Sequence, residues 1–502
     1  MLFNSIDYII FFSVVVLLYY ILPHRFRWVL LLISSCIFYM SWRAELILLI
    51  LFSSFLNYSC SMLIDSTISH KKRKFIFALC IFINFAILFI FKYMMFINHT
   101  FMAVYEYFGM EYPISDFDII LPMGISFYTF QAASYTIDVY KGEYRPEKNF
   151  FRFTLFITFF PQLVAGPIER ADRLMNQLFT EKKFDTDNIS AGLKYMLIGF
   201  FKKVVIADRA AIIVNGVFNN ADKFDGTSFI IAVLFFTFQI YCDFSGYSDI
   251  AIGSAKVLGI DLMQNFNKPY FSVSIKDFWR RWHISLSSWL RDYVYIPLGG
   301  SRCSLIRKYY NIFVTFALSG LWHGANWTFV LWGIIHGIYQ IIEDMISKII
   351  SSVIPHKRDE ENTEKGFVYY FFLPFRAIIH VIRVIFTFIL VSFAWIFFRA
   401  NTIDDALYIV THLTDGIENI TNIQYLYDIS NGFALSGFEI ILLTFSILFL
   451  IFIELITYKN DICKAVNKLP FIFRFSFYYI IAAIILMTGV FGNGGEFIYF
   501  QF

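Results

Sequence analysis

Residues Ala317-Leu318-Ser319-Gly320-Leu321-Trp322-His323-Gly324-Ala325-Asn326-Trp327 lie inside an apolar stretch that runs from Tyr309 to Ile342. A bilayer core is crossed by about 20 apolar residues of helix, so this stretch reads as membrane. An ionisable side chain at that depth is costly and is placed where it faces protein or a water-filled cavity. Histidine is also the side chain best suited to moving a proton near neutral pH. His323 is therefore a candidate base of a membrane-embedded enzyme. The other reading is a helix-packing histidine bonded to a backbone carbonyl.

Composition outward from this stretch sets the class. The chain has 502 residues, of which 58% are hydrophobic and 16% charged, against about 25% charged in soluble domains. Mean hydropathy is +0.62. Apolar runs recur near 6–22, 28–41, 45–64, 75–97, 119–139, 151–168, 191–218, 228–258, 309–342, 368–398, 437–457 and 475–491. They predict an all-α polytopic membrane protein with about 11 or 12 crossings, and re-entrant or bent segments where Gly and Pro intervene, as at Gly166-Pro167. No repeat and no soluble domain is visible, so residues 1–502 read as one integral-membrane domain. The N-terminus lacks a basic leader, and Ile6 to Leu22 reads as a retained span. A net charge of +3 implies no nucleic-acid partner. The six cysteines have no CxxC or CxxxH spacing, which suggests neither a metal site nor a disulfide framework.

Loop charge orients the spans. Lys71-Lys72-Arg73-Lys74 is expected on the cytoplasmic side, and the acidic loop from His99 to Asp118 outside. The basic region from Leu262 to Lys308 is then cytoplasmic, the acidic loop from Ala400 to Ser436 is outside, and both termini are outside.

Two further blocks carry chemistry. In Phe278–Gly300, Trp279, Trp282, Leu286, Trp289 and Leu290 recur at helical spacing. This predicts one amphipathic helix at the cytoplasmic interface. An interfacial anchor with snorkelling arginines accounts for the aromatics. A basic vestibule of Arg280, Arg281 and Arg291 would in addition attract an anionic donor such as a coenzyme A phosphate. The second block, Gln239-Ile240-Tyr241-Cys242-Asp243-Phe244-Ser245-Gly246-Tyr247-Ser248-Asp249, puts two carboxylates and several hydroxyls inside an apolar run. They must be internally bonded or line a wet cavity. Orienting a base, coordinating an ion and packing helices all remain open for them.

Arg281-Trp282-His283, Tyr295-Ile296-Pro297-Leu298-Gly299-Gly300 and Leu321-Trp322-His323-Gly324-Ala325-Asn326-Trp327 together resemble the membrane-bound O-acyltransferase family. Phe160-Pro161-Gln162-Leu163-Val164-Ala165-Gly166-Pro167-Ile168 and Tyr241-Cys242-Asp243-Phe244-Ser245-Gly246 are similar to further blocks of its bacterial branch, which acetylates alginate, peptidoglycan and related envelope polymers. The similarity covers roughly residues 120–340. It implies helices around a central tunnel in the bacterial inner membrane, with His323 at the family's invariant histidine and His283 at a second conserved position toward the cytoplasmic opening. It also implies acetyl-CoA as acyl donor, with no bound cofactor.

Acyl transfer from a thioester to a hydroxyl needs a base for the hydroxyl proton and donors for the developing oxyanion. His323 suits the first role. Asn326, His283 or a backbone amide near Gly320 and Gly324 suits the second. Asp243 and Ser245 would support the site. His336, 13 residues after His323, reads as structural. The chain has no GxSxG element, so an external polysaccharide would need a separate periplasmic SGNH-type transferase, the partner the resemblance implies. The C-terminus, Gly494-Gly495-Glu496-Phe497-Ile498-Tyr499-Phe500-Gln501-Phe502, is too apolar for a free tail in water. It either docks at the outer interface or folds back and offers the Tyr499 hydroxyl as an acyl relay. It resembles the C-terminal tyrosine motif of the small membrane protein that accompanies teichoic-acid D-alanylation. An acyltransferase of other specificity, for D-alanyl or lipid acceptors, and a transporter or flippase are the competing readings.

Overall fold

Apolar runs become helices along the chain of this computed structural model, and among the described residues no strand occurs. The structure describes all residues except 116, 118, 165, 354–372, 459–460, 492–496 and 499–502, and all of their side chains but those of 351–353 and 373–376. The helices are α1 (Ile6–Ile21), α2 (His24–Met40), α3 (Ile47–Ser66), α4 (His70–Leu88), α5 (Met94–Tyr107), α6 (Ile125–Lys141), α7 (Phe150–Thr158), α8 (Phe160–Leu163), α9 (Ala171–Phe179), α10 (Thr186–Phe200), α11 (Asp208–Phe218) and α12 (Gly226–Val257). They continue as α13 (Ile275–Arg281), α14 (Ile284–Leu290), α15 (Leu305–His323), α16 (Trp327–Val353), α17 (Leu373–Arg399), α18 (Ile403–Thr411), α19 (Ile423–Gly432), α20 (Gly437–Ile456), α21 (Ile462–Asn467) and α22 (Phe471–Thr488). Polar side chains mark several starts: Ser5 caps α1, Asn149 caps α7 and Asp185 caps α10, each satisfying amide donors that a helix leaves open.

By length and composition, seven helices among the described residues can cross a membrane. The remaining apolar runs behind the larger sequence count are short, interrupted or buried. Run 151–168 is divided between α7 and α8. Run 191–218 is interrupted by a π-helical segment, Phe201–Ala207. Run 119–139 contributes α6, which is buried from Ile125 through Thr136. Run 309–342 is broken into α15 and α16, of which α16 is one of the seven. Apolar side chains remain outside, among them Ile6 at 75% exposure and Phe386 at 61%, as expected of a surface solvated by lipid.

The chain divides into two compact units, one of residues 1–209, 239–264 and 443–502, the other of residues 210–238 and 265–442. In the first, α3, α4 and α6 pack together around a buried amide pair. Asn57 Nδ2 donates to Asn84 Oδ1 (2.9 Å), Asn84 Nδ2 donates to Asn57 Oδ1 (3.2 Å), and Thr136 Oγ1 donates to Asn57 Oδ1 (2.8 Å). Such interhelical bonds replace the hydrophobic drive that lipid cannot supply. In the second, α15 and α16 form a tight hairpin. A Cβ at Gly320 would stand 2.2 Å from the Phe329 carbonyl oxygen, and one at Gly333 would stand 2.3 Å from that of Phe316. Only glycine permits this approach at either position.

Candidate active site

His323 ends α15, and Gly324 follows in extended conformation. The chain then turns into α16, whose start is capped by Asn326: Oδ1 accepts from the Thr328 amide (3.1 Å), and Nδ2 donates to the Asn401 carbonyl (2.9 Å). The sequence offered Asn326 as an oxyanion donor; here both ends of its amide are engaged in holding the turn.

The His323 side chain is buried in an aromatic box. Trp332 meets it edge to face at 5.0 Å, and Phe398 at 5.4 Å. Trp332 in turn stacks on Trp395 at 5.4 Å. The His283 ring lies 6.4 Å from that of His323, with the Trp322 ring 5.6 Å from His283. Two imidazoles separated by 40 residues of sequence are thus neighbours. His336 also packs on Trp332, at 5.0 Å from it, and its Nδ1 accepts from Trp279 Nε1 (3.3 Å).

His283 is delivered by a break that periodicity did not reveal. The expected single amphipathic helix is two short ones, α13 and α14, parted at Trp282 and His283. His283 has φ +41°, in the left-handed region, where residues other than glycine are uncommon and often functional. A strap at Asn265–Asn267 holds the break open. The Asn265 carbonyl accepts from the Ile284 amide (2.9 Å), Asn265 Oδ1 accepts from Ser285 Oγ (2.6 Å), and the Asn267 amide donates to the Arg281 carbonyl (2.9 Å). Trp279, Trp282 and Trp289 are buried, so these indoles belong to the protein core and are not lipid-facing anchors. The spacing misleads because a two-residue kink barely disturbs a 3.6-residue period. Burial pushes the His283 imidazole down to about 3, so it is neutral near pH 7.

Beside the box lies a cavity of about 540 Å³. Lys276, Arg280, Arg291 and Lys308 line it with Glu343 and Asp344, and Trp279, Phe316 and Ser319 form part of its wall. Lys308 is paired with Asp344 at 2.6 Å. Glu343 Oε2 accepts from the Ile275 and Lys276 amides, at 2.8 and 3.2 Å, and so caps α13. Arg280 carries no ion pair among the described residues. Arg281 is not in the wall; its Nε pairs with Asp277 Oδ1 at 3.1 Å. Ser319 links cavity and box: it precedes His323 by one helical turn, on the same face of α15. Sequence reading passed over Ser319 and Glu343. The i, i+4 relation to His323 was the available signal for the first; nothing local marks the second.

The polar block of α12 is explained in the first unit by lysines that sequence reading left unassigned. Asp243 Oδ1 pairs with Lys203 (2.6 Å), which also reaches Asp208 (2.8 Å), and Asp249 pairs with Lys202 (2.8 Å). Tyr241 donates to Glu454. Ser245 is buried, and its hydroxyl makes no hydrogen bond among the described residues. Tyr499 lies outside the described residues; of its segment, Phe497 and Ile498 are described, and both are buried. Among the described residues no cluster of His, Cys, Asp or Glu is arranged to hold a metal ion.

Residues 147–398 match the model of the membrane-bound O-acyltransferase family. A probable alginate O-acetylase of Azotobacter vinelandii is 38% identical over 390 residues, 78% of this chain and 73% of that protein. A peptidoglycan O-acetyltransferase of Helicobacter pylori is 33% identical over 405 residues, 75% of this chain and 72% of that protein. A teichoic acid D-alanyltransferase of Bacillus subtilis is 30% identical over 245 residues, 46% of this chain and 61% of that protein. On the extent of these matches, and on the all-helical architecture and seven candidate spans of the described residues, the chain is a multi-pass membrane enzyme belonging to the membrane-bound O-acyltransferase family.

Proposed function

We propose that this protein takes acetyl groups from acetyl-CoA on the cytoplasmic side of a bacterial inner membrane and passes them outward for O-acetylation of an envelope polysaccharide. The observation that carries this reading is the placement of Ser319 and His323 on one face of α15, the first in the wall of a cation-lined cavity and the second in the aromatic box. Cations in a concave wall attract a phosphate-bearing donor, and Arg280 and Arg291 are the side chains we assign to that task. His323 is the base. It takes the acceptor hydroxyl proton while the oxygen attacks the acetyl carbonyl. The carbon–sulfur bond then breaks, and the imidazolium returns its proton to the departing thiolate. His283, neutral at working pH, positions the donor or steadies the oxyanion.

The acceptor we assign is Tyr499. A phenol has a pKa near 10, so it is easier to deprotonate than an alcohol and leaves more readily in a second transfer. The acetyl ester would then pass to the serine of a periplasmic SGNH-type partner. Acetyl is favoured over D-alanyl because the alginate and peptidoglycan relatives match about three quarters of this chain, the D-alanyl relative less than half. The test is mass spectrometry of the C-terminal peptide after incubation of purified protein with acetyl-CoA. Acetyl is expected on Tyr499 in wild type and absent in His323→Ala. Full polymer acetylation in a Tyr499→Phe strain would sink the relay. Absence of any acetyl-CoA turnover would sink the donor assignment.

A further inference from the structure

The C-terminal segment is held at two places, both in the first unit. At its start, the Val490 amide donates to the Val204 carbonyl (2.9 Å), and Arg209 Nη2 donates to the Thr488 carbonyl (2.5 Å). Val204 lies in the π-helical segment Phe201–Ala207. Such departures from α geometry concentrate at functional sites, and here one of its carbonyls accepts a bond from outside the helix. Further on, the Ile498 amide donates to Asp243 Oδ2 (2.8 Å), while the other oxygen of that carboxylate pairs with Lys203 (2.6 Å). The Phe497 ring packs against Tyr247 at 4.5 Å and Phe244 at 5.9 Å. Phe497 and Ile498 are 1% and 2% exposed.

We infer that Asp243, fixed by Lys203, is a positioning residue that latches the C-terminal segment through the Ile498 amide and thereby sets the reach of Tyr499. The inference rests on the relay reading above. A carboxylate buried in the protein needs a cation and hydrogen-bond donors. Lys203 supplies the cation, and the tail itself supplies a donor, so docking the tail satisfies the carboxylate. The benefit to transfer is geometric. Transfer requires the relay hydroxyl at one near-attack position. Asp243 anchors the residue immediately before Tyr499, which fixes the point from which the chain must present that hydroxyl. A hydrogen bond to a charged group shifts the docked-to-undocked ratio by roughly ten- to a hundred-fold.

The test uses full-length protein. Ile498→Pro deletes the donor while leaving the Lys203–Asp243 pair intact, and Asp243→Asn weakens the same contact from the other side. At saturating acetyl-CoA, the rate of Tyr499 acetylation per folded molecule should fall roughly ten- to a hundred-fold in Ile498→Pro, with KM for acetyl-CoA unchanged. A purely structural role would instead lower the amount of folded protein and leave the rate per folded molecule alone. If Asp243→Asn does not fold, Ile498→Pro still carries the test. Labelling of Ile498→Pro at the wild-type rate overturns the latch while the relay stands. No label on wild-type Tyr499, with full transfer by Tyr499→Phe, removes the relay and the latch with it.

Discussion

Gly320→Ala probes whether the α15–α16 hairpin sets the position of His323. The added methyl would stand 2.2 Å from the Phe329 carbonyl oxygen, 3.0 Å from its carbonyl carbon and 3.2 Å from the Val330 Cα. All three are backbone atoms of α16, so no side-chain rotation relieves the clash. Real Cβ contacts do not fall below 3.0 Å, and α15 must therefore shift by most of an ångström. His323 follows Gly320 by three residues and moves with it. Overpacking of this kind costs about 1–3 kcal/mol of stability. A displacement of about 1 Å at a reacting group costs on the order of 100-fold in rate. The assay is acetyl-CoA turnover per folded molecule, with the thermal unfolding midpoint measured in the same detergent. We expect a protein that still folds, with a lower midpoint and kcat reduced by roughly two orders of magnitude. A wild-type kcat in Gly320→Ala would show that the hairpin contact does not govern the histidine, and the argument from close packing would fail.

His323→Gln should cost about 10²–10⁴-fold in transfer, because an amide cannot accept the proton, while His283→Gln should retain measurable activity; equal losses would refute the division of roles. Arg280→Ala and Arg291→Ala should raise KM for acetyl-CoA with an effect that shrinks at high salt, whereas Arg281→Ala, paired with Asp277 away from the cavity, should leave KM unchanged; a KM rise in Arg281→Ala alone would refute the assignment. Burial pushes His283 from 6.5 in the unfolded chain down to about 3, so as pH falls the unfolded state binds the proton first. The stability due to neutral His283 is therefore full above about pH 6.5 and declines toward pH 3, by at most about 1.4 kcal/mol per pH unit. Unfolding midpoints measured between pH 7 and 4 should fall more steeply in wild type than in His283→Gln, and parallel profiles would contradict this.

The membrane class, the helical class and the family were legible in the chain itself. Long apolar runs leave helices as the economical way to satisfy backbone groups in lipid, and the motifs around Trp282-His283 and Trp322-His323 are local in sequence. His323 stood out because a titratable group in an apolar run is conspicuous without any coordinates. What folding decided depends on contacts between distant residues. Hydrophobic periodicity passes smoothly through the break at His283, so only the strap from Asn265 and Asn267 shows that one expected helix is two. The indoles of Trp279, Trp282 and Trp289, indistinguishable in sequence from interfacial anchors, are placed in the core by the helices packed around them. Of three neighbouring arginines, the cavity keeps Arg280 and Arg291 and leaves Arg281 to Asp277, a choice of direction that composition does not encode. The partners of Asp243, Lys203 and the Ile498 amide, lie 40 and 255 residues away. Sequence determines which side chains need a partner, because the cost of burying a charge is a property of the side chain; only the tertiary structure determines which partner arrives, because that depends on where the chain returns.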